Sequence, residues 1–239
     1  AGRPEALHIH LRNGCAAWER LEEALERGGG LFHGRHHSGT RAERAYLEAM
    51  DALAATNAPA IVSRIPLDAH GHLLDVGGGL GGYARAFLEQ FPALRVTLAD
   101  RPSVLESAQA SLPERCATLP CDFRTGLLDG PYDAVFLANV LHGYGPGEAL
   151  QILRVCREAL AVGGTILIKE FLLDDGNRND AELALLHLDL YLHTESGRLY
   201  TTEEMTVLNR DAGIARGDIM TVGRKARLWR GGSMLRDAV

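Results

Sequence analysis

Two rhythms of apolar residues alternate along this chain. Short apolar runs end at an acid or a glycine, and between them apolar residues recur every three or four positions, the spacing of one helical face. The run His72-Leu73-Leu74-Asp75-Val76 passes into Gly77-Gly78-Gly79-Leu80-Gly81-Gly82 and then into the helical spacing of Tyr83, Phe87, Leu88 and Phe91, so it reads as strand, tight turn, helix. Leu94 to Ala99 is a second strand ending at Asp100, Cys116 to Pro120 a third, and Ala134 to Ala138 a fourth. Thr165 to Ile168 is a fifth, ending at Lys169-Glu170. Helices are expected from Ser103 to Ser111 and from Gly147 to Leu160. The latter turns Leu150, Leu153 and Leu160 inward and stops at Gly163-Gly164. Helices near Asp180 to His193 and Thr202 to Asp211 follow, then two strands near Ile219 to Val222 and Lys225 to Trp229 that pattern as an antiparallel hairpin at a sheet edge. Strands alternating with helices predict an α/β fold with a mostly parallel sheet covered on both faces.

Two helices precede the sheet. Ala16 to Arg27 carries Trp18, Leu21 and Leu25 on one face and ends at Gly28-Gly29-Gly30. In the second, Thr40 and Glu43 have capping-box spacing, and Tyr46, Met50, Leu53 and Ala54 form the apolar stripe. His33, His36 and His37, between the two, sit among glycines and arginine and read as a solvated loop rather than a metal site. Residues 1 to 14 show no period.

The chain has 239 residues, 46% hydrophobic content and a formal charge of −6, which suits one compact domain with a sizeable core. The expected organisation is a helical connecting segment over 1–64 and a ligand-binding α/β domain over 65–239. No apolar run is long enough to span a bilayer and no secretory pattern opens the chain, so a cytoplasmic location is expected. The acidic total argues against a nucleic-acid partner. Cys15, Cys116, Cys121 and Cys156 are scattered and read as reduced packing residues.

In open α/β sheets ligands sit at the carboxyl ends of strands, which directs attention to Asp75 with its glycines, Asp100, Asp122, His142 and Glu170. Glycine at 77 and 79 permits positive φ and close approach of a ligand, and the following helix start presents free N–H groups. Asp100 lies roughly 20 residues after the first glycine, where a ribose-gripping carboxylate belongs. It also has the position of an N-cap for a helix opening at Pro102, with Ser103 and Glu106 in capping-box spacing. Asp122 offers an acceptor for an adenine amino group, and Phe123 either an aromatic surface beside it or a core side chain.

Leu74-Asp75-Val76-Gly77-Gly78-Gly79-Leu80-Gly81, Asp100-Arg101-Pro102, Cys121-Asp122-Phe123, Val140-Leu141-His142 and Ala159 to Ile168 together resemble the S-adenosylmethionine-dependent small-molecule O-methyltransferases. These are the enzymes related to caffeic acid, acetylserotonin and bacterial polyketide O-methyltransferases. The resemblance runs over residues 16 to 222. It implies a Rossmann-like class I methyltransferase fold with a mostly parallel seven-stranded sheet and an antiparallel edge hairpin, preceded by connecting helices. It further implies S-adenosylmethionine as cofactor, held by Asp75, Gly77, Gly79, Asp100, Arg101, Asp122, Phe123, Asn139 and Tyr144. A small, partly aromatic acceptor would be methylated on a hydroxyl, with His142 as base, Glu170 beside it, and Met50, Asn57 and His193 as pocket residues. The family's second carboxylate falls here on Leu199, its basic residue four positions before the histidine on Ala138, and its following aspartate and tryptophan on Gly143 and Tyr144. Relatives carry an N-terminal dimerisation domain, and the chain resembles them from the connecting helices onward, so a homodimer or partner subunit is a further expectation.

Other readings stay open from sequence. In one, His142 and His193 bind a metal for C-methylation of a 2-oxo acid. In another, the chain is a non-catalytic scaffold that keeps the cofactor site. An NAD-dependent oxidoreductase is disfavoured, because the glycine spacing departs from the dinucleotide pattern.

Overall fold

The computed structural model describes residues 14–30, 41–67, 71–126, 128–174, 176–177, 179–215, 217–222 and 225–232. Helices α1 (Leu21–Arg27) and α2 (Arg41–Val62) precede β1 (His72–Val76), α3 (Gly82–Gln90), β2 (Arg95–Asp100), α4 (Pro102–Ala108) and β3 (Cys116–Pro120). Then come β4 (Tyr132–Ala138), α5 (Pro146–Glu158), β5 (Leu160–Phe171), α6 (Ala181–His193), α7 (Thr202–Asp211), β6 (Asp218–Thr221) and β7 (Ala226–Gly232).

The strands form one seven-stranded sheet in the order β3-β2-β1-β4-β5-β7-β6. Neighbours from β3 to β5 are parallel, and β7 runs antiparallel to both β5 and β6. The mostly parallel sheet with an antiparallel edge hairpin is therefore present, with β7 seated between β5 and the edge strand. The order reverses between β1 and β4, so their carboxyl ends open the crevice where such sheets bind ligands. Register aligns those ends: Val76 is opposite Ala99 and Leu137, and Ala138 is opposite Lys169.

Strand alternation divides the core. Leu74, Val76, Val135, Leu137, Ile166 and Ile168 pack with Ile152 and Leu153 of α5 and Met205 of α7. Leu73, Phe136, Leu167 and Leu228 pack on the other face with Phe87 of α3 and Ile61 and Val62 of α2. The Phe136 ring meets Phe87 edge-on at 5.0 Å and Tyr83 at 5.1 Å. The helix α2 thus shares this core with the sheet.

The helix α2 differs from its expected stripe. Its buried side chains are Glu43, Ala45, Ala49, Ala58, Ile61 and Val62, whereas Leu53 is 52% exposed. The reason is close packing on α3: a Cβ added at Gly82 would stand 2.6 Å from Ala54 Cβ, so small residues set this seam and leave no depth for leucine. In α1 likewise Ala24 is buried and Leu25 exposed, and the triple glycine ends the helix as expected, Gly28 taking φ 68°. The long helix expected to Leu160 ends at Glu158, and Leu160 already pairs with Tyr132. The register then jumps to Ala134 with Thr165, so residues 161–164 loop out of β5. Gly163-Gly164 serves this excursion: Gly163 has φ 79°, and a Cβ at Gly164 would lie within 3.2 Å of three backbone oxygens. His33, His36, His37 and Thr40 lie outside the described residues. Of the cysteines, Cys116 and Cys156 are buried, Cys121 is half-buried and Cys15 is exposed. Among the described residues no helix is long and apolar enough to cross a membrane.

Candidate active site

The glycine turn needs its glycines. Gly77, Gly79 and Gly81 have φ of 68°, 60° and 83°, which residues with a Cβ adopt only under strain. A Cβ at Gly78 would stand 2.3 Å from Leu98 Cδ1 and 2.6 Å from Asp75 Oδ2. At Gly79 the situation reverses: its added Cβ would meet only Leu47 Cδ2 of α2, at 4.0 Å, so the backbone there faces free space beneath α2.

Asp100 closes the turn. Its Oδ2 accepts the Gly79 N–H at 2.9 Å and its Oδ1 the Arg101 N–H at 2.8 Å. It does not cap α4, whose N-cap position is Arg101 with Pro102 following. Burial pushes the Asp100 carboxyl up, against the two N–H groups and the Arg101 charge. Asp75, below the turn, is 1% exposed, and among the described residues neither carboxylate oxygen accepts a hydrogen bond of normal geometry. Burial first, and the neighbouring Asp100 second, push it up to about 7. Arg101 reaches from the turn to Glu43 on α2, and Arg85 of α3 pairs with Asp51 of the same helix.

Asp122 projects after β3, but both of its oxygens are taken by Arg124, at 2.9 Å from Nε and 2.7 Å from Nη2. That bidentate pair holds its carboxyl below the usual range. Phe123 is 8% exposed and part of the core, edge-on to Tyr144 at 6.4 Å and beside Gly77. Tyr144 is half-buried, and burial pushes its phenol up to about 12. Its carbonyl accepts the Tyr200 hydroxyl at 2.7 Å.

On the 3₁₀ turn Leu141–Gly143 after β4, His142 Nδ1 lies 2.7 Å from Oε2 of Glu170, the penultimate residue of β5. The other oxygen of Glu170 accepts the Leu141 N–H at 2.8 Å. Burial raises the Glu170 carboxyl, but the His142 ring, the Lys169 charge and the His142 N–H outweigh it and hold the carboxyl below its usual range. A neutral His142 ring donating its Nδ1 proton to Glu170 would leave the Nε2 lone pair free. Asn139, at φ 57°, links β4 to this turn. Its Oδ1 accepts from the Lys169 ammonium at 2.7 Å.

Not every candidate joins this group. Asn57 is exposed and donates its amide to Leu53 of its own helix. Met50 is half-buried on α2, the helix that spans the glycine turn. His193 is 5% exposed at the end of α6, with Nδ1 2.9 Å from the Asp189 carbonyl. Leu199 is fully buried among Leu183 and Leu190, an apolar setting that suits no carboxylate. Among the described residues no three His, Cys, Asp or Glu side chains come together as a metal site, so the metal-assisted alternative gains no support from geometry. A cleft of about 220 Å³ at the opposite, amino end of the strands is lined by His72, Asp133 and Gly163, away from all of these groups. Arg124 is not marked by the sequence pattern, and Glu43 is marked there only as a helix cap. Lys169 had a signal, as a charge inside an otherwise apolar parallel strand.

Residues 17–215 match the model of the O-methyltransferase domain. The chain is 33% identical over 180 residues to 3-hydroxy-5-methyl-1-naphthoate 3-O-methyltransferase of Streptomyces sahachiroi, covering 73% of this chain and 52% of that protein. It is 30% identical over 172 residues to mitomycin biosynthesis 6-O-methyltransferase of Streptomyces lavendulae, covering 66% and 49%. The chain thus spans about half the length of the curated relatives it matches. Among solved structures, the mitomycin 7-O-methyltransferase superposes with a TM-score of 0.83 at 25% identity over 91% of this chain and 67% of that one.

Proposed function

The chain belongs to the O-methyltransferase domain family, and from that premise we propose that it moves the methyl group of S-adenosylmethionine onto a hydroxyl of a small aromatic or polyketide-like natural product. His142 is the general base and Glu170 its positioning residue. The observation that carries this reading is the buried Glu170 carboxylate, fixed by the Leu141 N–H on one oxygen and engaging His142 Nδ1 with the other.

The residues present suit the cofactor. The free space over Gly79, the glycines at positive φ and the Asp100 carboxylate that shapes the turn form a cradle that a Cβ would fill. Gly77, Gly79, Asp75 and Asn139 are assigned to the methionyl end, Asp100 and Arg101 to the ribose, and Asp122, Phe123 and Tyr144 to the adenine. Bound there, S-adenosylmethionine supplies a methyl group made electrophilic by its sulfonium.

The rest is done by the chain. Nε2 of His142 would accept the proton of the acceptor's hydroxyl, leaving that oxygen free to take the methyl group. Glu170 stabilises the imidazolium and fixes the ring plane. A positioned base of this kind contributes about 10²–10⁴-fold, and alignment of oxygen with methyl carbon contributes further. Met50, Asn57 and His193 are the proposed acceptor contacts, Asn57 being exposed on α2.

The test uses isotope-labelled S-adenosylmethionine and a panel of hydroxynaphthoates, phenols and hydroxyquinones, with products identified by mass. A methyl ether formed by the wild type and reduced at least a hundredfold in His142→Gln, with S-adenosylhomocysteine affinity unchanged, is the expected result. A His142→Gln variant as active as wild type overturns the base assignment.

A further inference from the structure

Lys169 is 4% exposed, and among the described residues its ammonium has hydrogen-bond contact with one group, Asn139 Oδ1, at 2.7 Å. It sits 4.4 Å over the Phe171 ring, and among the described residues no carboxylate lies within ion-pairing distance of it. Glu170, the next residue, points to the opposite face of β5 and is committed to His142. A lysine ammonium carries three N–H donors. Burying it with one acceptor is costly, and burial lowers its pKa to about 8.

Its position explains the retained cost. Lys169 is opposite Ala138, the last residue of β4, and Asn139 follows Ala138 directly. Asn139 is held at φ 57° by donating its N–H to the Lys169 carbonyl at 2.9 Å. Val140, next along, stands against the glycine turn: its Cγ2 would be 2.9 Å from a Cβ on Gly77. With its oxygen accepting from Lys169, the exposed Asn139 side chain, at the carboxyl ends of β4 and β5, keeps its N–H donors for another partner, and among the described residues the ammonium has two donors beyond this bond.

We propose that Lys169 and Asn139 form a recognition corner for a carboxylate on a ligand in the crevice. Two molecules of the proposed reaction can bring one: the cofactor through its methionyl carboxylate, or an acceptor of the hydroxyaryl carboxylate class. This inference rests on the methyltransferase reading.

Calorimetric titration separates the sources. One arm compares S-adenosylhomocysteine with its analogue lacking the carboxylate; the other compares 1-hydroxy-2-naphthoate with 1-naphthol, in protein saturated with S-adenosylhomocysteine. Each is run on wild type, Lys169→Met and Asn139→Gly, the last removing the amide while tolerating the positive φ. A charge-assisted contact predicts a loss of about 10- to 100-fold for the carboxylate-bearing member of one pair in Lys169→Met, and a smaller loss in the same direction in Asn139→Gly. The partner without the carboxylate should bind wild type and Lys169→Met alike. Loss in the first pair assigns the corner to the cofactor, and loss in the second to the acceptor. Asn139→Gly decides the question alone if Lys169→Met does not fold. Carboxylate-independent binding in the folded variants overturns the corner and leaves the methyltransferase reading intact. Failure of S-adenosylhomocysteine to bind the wild type overturns both.

Discussion

The guanidinium of Arg101 lies 2.7 Å from the carboxylate of Glu43, 58 positions away in sequence. Glu43 has a side chain 5% exposed, on a helix outside the sheet. Arg101 also directly follows Asp100, so the pair fastens α2 to the turn that shapes the candidate ribose site. Breaking it should act on stability and ligand affinity together. Glu43→Gln and Arg101→Met are each expected to cost about 1–3 kcal/mol in urea unfolding, with the double variant costing less than the sum. Strict additivity would show that the two side chains do not work as a pair.

Glu170 offers a test that separates positioning from proton transfer. Glu170→Gln keeps the shape and the Leu141 contact but not the charge, so it should reduce methyl transfer by about 10- to 100-fold, less than His142→Gln. The pH profile of kcat should shift to lower values, because the imidazolium loses its anionic partner. An unshifted profile with reduced kcat would mean that Glu170 serves only to hold the turn.

Asp75 makes stability depend on pH in a stated direction. Its carboxyl titrates near 7 in the folded chain against 3.8 as its ordinary value. The folded state therefore holds a proton that the unfolded state has released between those values. Stability from this group is complete below about 3.8, falls as pH rises to 7, and is lost above. Asp75→Asn removes the ionisation at constant shape. Relative to wild type it should become more stable as pH rises through this window, by a few kcal/mol at most. Parallel stability curves from pH 4 to 8 would contradict a raised Asp75.

Two neighbouring glycines should fail differently when changed to alanine. In Gly78→Ala the methyl meets Leu98 and Asp75 and should cost about 1–3 kcal/mol or more. In Gly79→Ala the methyl points into free space, so the cost is limited to that of a positive φ, about 1–2 kcal/mol. That space is the proposed cofactor cradle, so Gly79→Ala should fold and bind S-adenosylhomocysteine far more weakly. Thermal melting with and without the ligand reads both.

The strands and the order of elements were legible because apolar runs, glycines and acids mark them locally; α7 was placed at its observed bounds, Thr202–Asp211. The inward face of α2 was not, since alanines rather than leucines set its contact with α3, and close approach at Gly82 has no signature in periodicity. Likewise β5 was underestimated at its start because the 161–164 excursion interrupts the pattern with glycines. In the site, Asp75, Asp100, His142 and Glu170 stand at strand ends as anticipated, because topology fixes those ends. Arg124 at Asp122 and Glu43 at Arg101 escaped notice, because an ion pair depends on where two side chains meet. The burial of Lys169 escaped because the apolar run closes at Ile168, whereas β5 continues to Phe171.

The 161–164 excursion has a practical use. Val162 is 89% exposed at the amino end of β5, while Lys169 and Glu170 stand near its carboxyl end. The paired strand from Thr165 to Lys169, about 13 Å long, lies between the excursion and the crevice end. A peptide epitope or fluorescent module spliced at Val162 would ride on the strand that bears His142's partner without occupying the crevice, giving a handle for immobilising or imaging the protein with its chemistry facing outward.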